Sequence, residues 1–468
     1  MLTFHLSFFD LALISILYVI GFFFAINATF QSRTPQGTMA WVLALICIPF
    51  FSVPIYLLFG KNKIEDYDYY EKYLIDYRKK IENAVLEYKI IKDMPPIKRF
   101  FVHTNHDFIS GNSLRLLLDG LETFEEMILT IKSAKKYILL QMYIFRTDLI
   151  GSEFAAALEE KAREGVKVYV LYERLGIRMS KKILKRMQLA GVCLGEFSPI
   201  RLNKLQLNFR NHRKLLIIDG QYGFFGGINI GDDYLGRYPE IGFWRDTNIK
   251  ISGPIVSLAQ IDFIKDWKFS QSHEINIELQ SPLAKGSSHV LLLNSGPSEE
   301  IPLNLLLHIE IINSAQRRLW MANPYFIPPQ GILDALLIAN MRGVDIRVLV
   351  PRNTDNYFVA LAMEVYLERM VLAGIRVFKY AAGMMHQKVI LLDESLAVIG
   401  SSNLDFRSMY INFENTVITD DTEFIKDLDL ALRCDFDKSV EIYSTDFKLY
   451  SFRYRLAIHL ANSLAPIL

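Results

Sequence analysis

The chain has 468 residues, 51% of them hydrophobic, and carries 52 Lys and Arg against 51 Asp and Glu, a net charge of +1. That length fits two ordinary domains plus an anchor, and the balanced charge excludes a binder that holds nucleic acid by bulk basic excess, leaving only a local basic patch open. The three cysteines, Cys47, Cys193 and Cys434, are odd in number and far apart, so no disulfide framework or metal spacing can be read from them.

The apolar excess sits at the start. Residues 1–60 contain one acid, Asp10, and one base, Arg33. Leu11 to Phe30 is an uncharged run of 20 residues, and Met39 to Gly60 is a second of 22. Each is long enough to cross a bilayer core of ~30 Å at ~1.5 Å per helical residue. No charged segment precedes the first run and another run follows at once, which speaks against a cleaved signal peptide. The expectation is two transmembrane helices, 9–30 and 39–60, joined by the short loop Gln31–Thr38. Pro49 and Pro54 lie within the second run, where membrane neighbours can satisfy the freed backbone. Arg33 is the loop's only cation, whereas Lys61, Lys63, Lys72, Arg78, Lys79 and Lys80 follow the second span. The positive-inside rule therefore puts the bulk of the chain, and the N-terminus with it, on the cytoplasmic side. Residues 61–98, charged and tyrosine-rich, read as a juxtamembrane linker.

From there the chain reads as two related halves, 99–282 and 283–468. In the first, TFEEMILTIKSAKKYILLQMYIF leads into GSEFAAALEEKAREGVKVYVLYE; in the second, LHIEIINSAQRRLWMANPYFI leads into GILDALLIANMRGVDIRVLVP. Both patterns give helix, short buried strand, helix and β-branched strand. Such alternation implies an α/β fold with a substantially parallel sheet, built twice. The join is expected in the polar stretch Ser281–Ser288.

Each half carries the same polar signature. His212, Lys214, Asp219, Gly226 and Asn229 match His386, Lys388, Asp393, Gly400 and Asn403, at shared offsets of 2, 7, 14 and 17 from the His. A His and a Lys two apart on a strand project from one face. The apolar tetrad after each Lys buries the strand and makes the platform rigid. Small residues, Gly227 in one copy and Ser401 in the other, let backbone approach an anion, and Asn229 and Asn403 add amide donors. Two copies brought together surround one phosphate with two imidazoles and two ammonium groups. Asp219 and Asp393 have the opposite strand parity and read as braces of the motif loop. A metal site fits poorly, since Lys is no usual ligand and carboxylates are sparse.

The paired motifs resemble the twin active-site signatures of the phospholipase D superfamily. The stretches GGINIGDDYLGR, FWRDT, NPYFIPP and GSSNLDFRSMYINFEN, the two N-terminal spans and the closing LAPIL resemble bacterial cardiolipin synthases, over essentially the whole chain. The resemblance implies two fused phospholipase D-type domains, β-sheets flanked by helices and related by a pseudo-twofold, after two membrane helices. It implies transfer of a phosphatidyl group from one phosphatidylglycerol to another, giving cardiolipin and glycerol through a phosphohistidine, with no metal or cofactor. One His attacks the phosphodiester; the other protonates the departing glycerol and then deprotonates the second lipid's hydroxyl. By resemblance His212 takes the first role and His386 the second, Lys214, Lys388, Asp219 and Asp393 complete the catalytic set, and Asp246 and Glu414 each hold their own His by a hydrogen bond and set its tautomer. The implied partners are membrane phospholipids and not nucleic acid, at the bacterial cytoplasmic membrane. Glu173 in LYERLG stands where the family has Asp, and takes no role. A hydrolytic phospholipase D would use the same residues with water as acceptor; a nuclease of the superfamily and a non-catalytic lipid binder are the rivals from other classes. Trp244, Tyr325, Phe326 and Phe413 read as core first and as acyl-chain lining second.

Overall fold

The computed structural model describes residues 8–31, 35–60, 64, 67, 74–89, 106–197, 208–270, 274–278, 280, 283–463 and 465. The cations Lys61, Lys63 and Lys72, much of the 61–98 linker, the start of the join and most of the closing LAPIL lie outside those residues.

Helix α1 (Phe8–Gln31) covers the first apolar run and, among the described residues, is the one helix long and apolar enough to cross a membrane. The second run does not continue as one helix. It forms α2 (Pro35–Cys47) and α3 (Pro49–Phe59), broken at Ile48, whose φ of −136° and ψ of 55° are not helical. A residue before proline is disfavoured in a helix, and Pro49 has no N–H to extend the ladder. Helix α3 then turns back along α2. The Ser52 hydroxyl donates to the Ala44 carbonyl at 2.9 Å, and the Trp41 and Tyr56 rings meet at 5.1 Å; a straight helix would separate residues 41 and 56 by about 22 Å. Small residues seat this hairpin on α1. A Cβ at Gly21 would fall 2.4 Å from the Leu45 carbonyl oxygen, and Ala25 and Ala28 are buried, the close approach that small residues allow between membrane helices. Asn27, the one amide of the first run, accepts from the Tyr56 hydroxyl at 2.8 Å. The stretch expected to span once is thus a helical hairpin, each arm shorter than the ~30 Å a crossing needs.

Beyond the anchor the two halves fold alike. The first holds β1 (Ile109–Leu118), β2 (Tyr137–Met142), β3 (Lys167–Glu173), β4 (Cys193–Phe197), β5 (Arg210–Asn211), β6 (Leu215–Ile218), β7 (Tyr222–Gly226), β8 (Trp244–Arg245) and β9 (Thr247–Ser252). The second holds β10 (Ser288–Ser295), β11 (Arg318–Ala322), β12 (Asp345–Pro351), β13 (Arg376–Tyr380), β14 (Met384–Met385), β15 (Val389–Leu392), β16 (Leu396–Gly400), β17 (Asn412–Thr419) and β18 (Ser439–Ile442). Outward from a central β1–β10 pair, the sheet runs β1-β9-β7-β6-β2-β3-β4 one way and β10-β17-β16-β15-β11-β12-β13-β18 the other. Apart from the added β18, this is one topology used twice.

The sheet is mixed, not substantially parallel. Parallel pairing is confined in each half to the strands that alternate with helices, β2-β3-β4 and β11-β12-β13. The motif strands β6 and β15 pair antiparallel on both sides, because a tight turn rather than a helix follows each. Asp219 and Asp393 open those turns with φ of 52° and 49°, left-handed values that Asp tolerates better than most residues. All four residues of β6 and of β15 are buried, as continuous apolar strands require. Two short strands cross between the halves: β5 pairs with the start of β17, and β14 with β8.

Candidate active site

That exchange positions the histidines. His212 follows β5 and its N–H donates to the Phe413 carbonyl at 2.9 Å; His386 follows β14 and donates to the Arg245 carbonyl at 2.8 Å. Each His is pinned one residue short of a carboxylate in the opposite half. His212 Nδ1 lies 3.0 Å from both oxygens of Glu414, and His386 Nδ1 lies 2.8 Å from Asp246 Oδ2. The expectation is that each downstream carboxylate holds its own His; the pairing is instead crossed, because the strand exchange carries each His to the opposite half. A carboxylate at Nδ1 accepts the hydrogen bond of the N–H there, which keeps the proton on Nδ1 and leaves Nε2 with its lone pair.

The lysines complete the pocket. Lys214 Nζ donates to the His212 carbonyl at 2.7 Å, and Lys388 Nζ donates to the His386 carbonyl at 2.5 Å and lies 3.0 Å from His386 Nε2. Burial pushes His212 below its ordinary value against the pull of Glu414, and pushes His386 lower still, helped by the charge of Lys388. Burial brings Lys214 down to about 7 and Lys388 to about 8, although neighbouring carboxylates resist. Asp246 is raised by burial to about 6. Burial would raise Glu414 too, but His212, Lys214 and the Ser401 hydroxyl outweigh it and hold that carboxyl low. Lys388 acts on His212, and Lys214 on His386 and Asp246, so the two motifs share one electrostatic pocket. Neutral imidazoles beside ammonium groups near their threshold suit a bound anion, whose charge favours the protonated lysines.

Other expected site residues sit differently. Gly227 and Ser401 lie against the buried carboxylates, not against an open anion site. A Cβ at Gly227 would fall 2.4 Å from Asp246 Oδ1, and Ser401, at the matching position, donates its hydroxyl to Glu414 Oε2 at 2.5 Å. Asn229 is committed at both ends, accepting from the Ile144 N–H at 3.1 Å and bonding the Tyr234 hydroxyl at 2.5 Å. Asn403 is buried, and its Oδ1 has no partner among the described residues. Asp219 accepts the N–H groups of Lys135, Lys136 and Tyr137 at 2.8–2.9 Å, and Asp393 those of Gln316, Arg317 and Arg318 at 2.9–3.2 Å. They clamp the motif turns to the starts of β2 and β11, at the opposite end of each motif strand from its His, and so brace the platform instead of facing the reacting atoms. Glu173 accepts from the Leu175 and Gly176 N–H groups at 2.7 and 2.8 Å. Phe326 and Phe413 are core.

Several residues that hold the site were not singled out from sequence. The Tyr143 ring lies 5.0 Å from the His212 ring and 5.4 Å from Lys214 Nζ. Trp244, read mainly as core, packs 5.3 Å from the His386 ring. Asp266 accepts from Gln141, Asn211 and Arg213 at 2.7–2.8 Å, and Asp435 accepts from Gln387 and Arg245 at 2.8 Å. Arg213 and Gln387 are the middle residues of the two His-x-Lys triplets, so each acid locks its motif from behind. Both acids stand in the long helices Ile255–Ser270 and Thr422–Asp437, each before an aromatic residue, a match visible once the halves are superposed.

Comparison with known proteins agrees with this duplication. The family described as cardiolipin synthase, PLD-like domain, matches residues 127–267 and 308–434, and that described as phospholipase D-nuclease N-terminal matches residues 16–61. The chain is 34% identical to cardiolipin synthase A of Pseudomonas entomophila (strain L48) over 485 residues, covering 100% of both chains. It is 35% identical to cardiolipin synthase A of Pseudomonas syringae pv. syringae (strain B728a), over 96% of this chain and 98% of that one. Among solved structures, phosphatidylserine synthase of Haemophilus influenzae Rd KW20 superposes with a TM-score of 0.61 at 14% identity, over 84% of this chain and 100% of that one, a likeness of fold. With both repeats matched and relatives aligned along their whole length, the chain belongs to the phospholipase D-like cardiolipin synthase family.

Proposed function

We propose that this chain transfers a phosphatidyl group from one phosphatidylglycerol to another, forming cardiolipin and releasing glycerol. The observation that carries the reading is the pair of buried histidines, each held at Nδ1 by a carboxylate of the opposite half, with two lysines beside them. The lone pair of His212 Nε2 attacks phosphorus, and the bond from phosphorus to the glycerol oxygen breaks as His386, entering the step as the imidazolium that the bound phosphate and the Asp246 carboxylate favour, gives that oxygen its Nε2 proton. The hydroxyl of the second lipid then loses its proton to His386 and attacks, and the phosphorus–nitrogen bond to His212 breaks. Lys214, Lys388 and Asn403 hold the phosphate oxygens throughout. The order of the histidines is supported by their surroundings: His212 Nε2 meets no hydrogen-bond partner among the described residues, whereas His386 Nε2 lies 3.0 Å from Lys388 Nζ.

Membrane attachment rests on α1, with the α2–α3 hairpin returning to the face it came from. The cations after Phe59 put the catalytic body in the cytoplasm, and the N-terminus then lies across the membrane, in place of an anchor of two full spans. Residues 1–60, 61–98, 99–282 and 283–468 serve as anchor, linker and two catalytic halves. The test is a product assay on purified protein in mixed micelles with headgroup-labelled phosphatidylglycerol. Cardiolipin plus glycerol is expected. Phosphatidic acid plus glycerol would make the protein a hydrolase, and cleaved DNA without cardiolipin would overturn the reading.

A further inference from the structure

The duplicated pocket is unequal in charge on its two sides. Around Tyr143, whose ring packs on His212, stand three guanidinium groups within electrostatic reach: Arg178, Arg210 and Arg407. Each bonds only neutral oxygens. Arg178 donates to the Leu175 and Ile177 carbonyls at 3.2 and 3.4 Å, Arg210 to the Phe209 carbonyl at 3.0 Å, and Arg407 to Asn208 Oδ1 and its carbonyl at 3.1 and 2.6 Å. Among the described residues none of the three ends on a carboxylate. The acids that act on Arg210 and Arg407 are Glu173 and Asp405, both buried and both pushed up by that burial, Asp405 to about 6. Burial, then the charge of Arg210, pushes the Arg407 guanidinium below its usual range.

The positions beside His386 that match Arg210 and Arg407 carry no such charge. Two residues before each His stand Arg210 and Met384; four after each motif Asn stand Arg407 and Asp233, the latter paired with Arg146 at 2.9 Å. On that side Tyr325 donates to the Asp355 carboxylate at 2.6 Å. The arginine side also adjoins the anchor, because the Asn208 amide that receives Arg407 donates to the Phe59 carbonyl, at the end of α3, at 3.4 Å.

Arg210 and Arg407 are half-buried and Arg178 is exposed beside them; a half-buried guanidinium without a carboxylate is costly unless an anion joins it, and planar donors fit phosphate oxygens in pairs. We propose that Arg178, Arg210 and Arg407 form a docking subsite for the phosphodiester headgroup of an anionic phospholipid, lying between the foot of the membrane anchor and His212 and distinct from the phosphate grip of Lys214 and Lys388. The inference rests on the reading that the pocket acts on phospholipids, and it gives the lipid a stated route into the site.

The test uses the full chain in detergent, with retained lipid read by native mass spectrometry and turnover by surface-dilution kinetics. Arg178→Gln and Arg210→Gln are expected to weaken retention of phosphatidylglycerol roughly ten-fold, as loss of a charge-assisted bond implies, and to leave phosphatidylcholine retention where it was. The kinetic loss is expected in KM more than in kcat, with Arg210→Lys recovering part of it. Retention of phosphatidylglycerol at wild-type levels in both variants overturns the subsite, as does a loss confined to kcat. Inorganic phosphate that displaces phosphatidylglycerol from wild type but not from the variants would make this a free-phosphate site and overturn the lipid assignment. Failure of the wild-type protein to form cardiolipin would defeat the functional reading, and the retention result would still decide the subsite.

Discussion

His212 and His386 lie in one buried pocket with two lysines, so each protonation state there is set by its neighbours. The proposed exchange needs a nucleophile and an acid–base group in both steps. His212→Ala and His386→Ala are each expected to leave less than about 1% of turnover, given the ~10²–10⁴-fold weight of positioned acid–base catalysis; clear activity in either variant contradicts a two-histidine mechanism. The pH profile follows from the groups around them. Asp246, raised to about 6, orients His386 as a carboxylate, so kcat/KM should rise as it loses its proton. Lys214 at about 7 and Lys388 at about 8 grip phosphate only while protonated, so kcat/KM should fall as each loses its proton. A profile flat from about 5 to 9 would contradict these roles. At this scale the sequence made both His-x-Lys pairs legible, because the offsets repeat. It could not show that Glu414 meets His212 across 202 positions, or Asp246 His386 across 140, since that contact depends on how the halves dock.

Elements explain why some expectations shifted. Hydropathy counts Met39 to Gly60 as one span, because a proline barely lowers an apolar average; the backbone before Pro49 nevertheless leaves the helix, and Ser52 and Tyr56 find partners on α2 and α1. In the proposed topology the hairpin returns to the face it came from, and the N-terminus and the catalytic body lie on opposite sides of the membrane. Single cysteines introduced at Thr3 and at Lys181, in a chain freed of its own three, should then react with an impermeant maleimide from opposite faces. Labelling of both from one face would restore two full spans. Likewise, alternation of helices and strands predicts parallel pairing, and it fails where the motif strands turn back without a helix. Asp266, on a long helix behind the sheet, is the sole carboxylate bonded to the buried Arg213 guanidinium among the described residues. Asp266→Ala should cost about 3–5 kcal/mol by stranding that charge, read as loss of thermal stability in detergent; a variant as stable as wild type would show that Arg213 finds another anion.

Across the whole molecule, one topology used twice closes a single site at its pseudo-twofold. Neither half is complete alone, since each His takes its carboxylate from the other. The duplication is legible from the spacing of the motifs, whereas its consequence, one shared pocket with unequal sides, is a property of the docked halves. Phosphatidyl transfer by the proposed route passes through a covalent phosphohistidine. The most direct measurement is rapid quench of the purified protein with phosphatidylglycerol labelled in its phosphate, followed by mapping of the protein-bound label. Label on His212, absent from His212→Ala, is expected during cardiolipin formation. Cardiolipin made at full rate with no label on either His212 or His386 would contradict the mechanism.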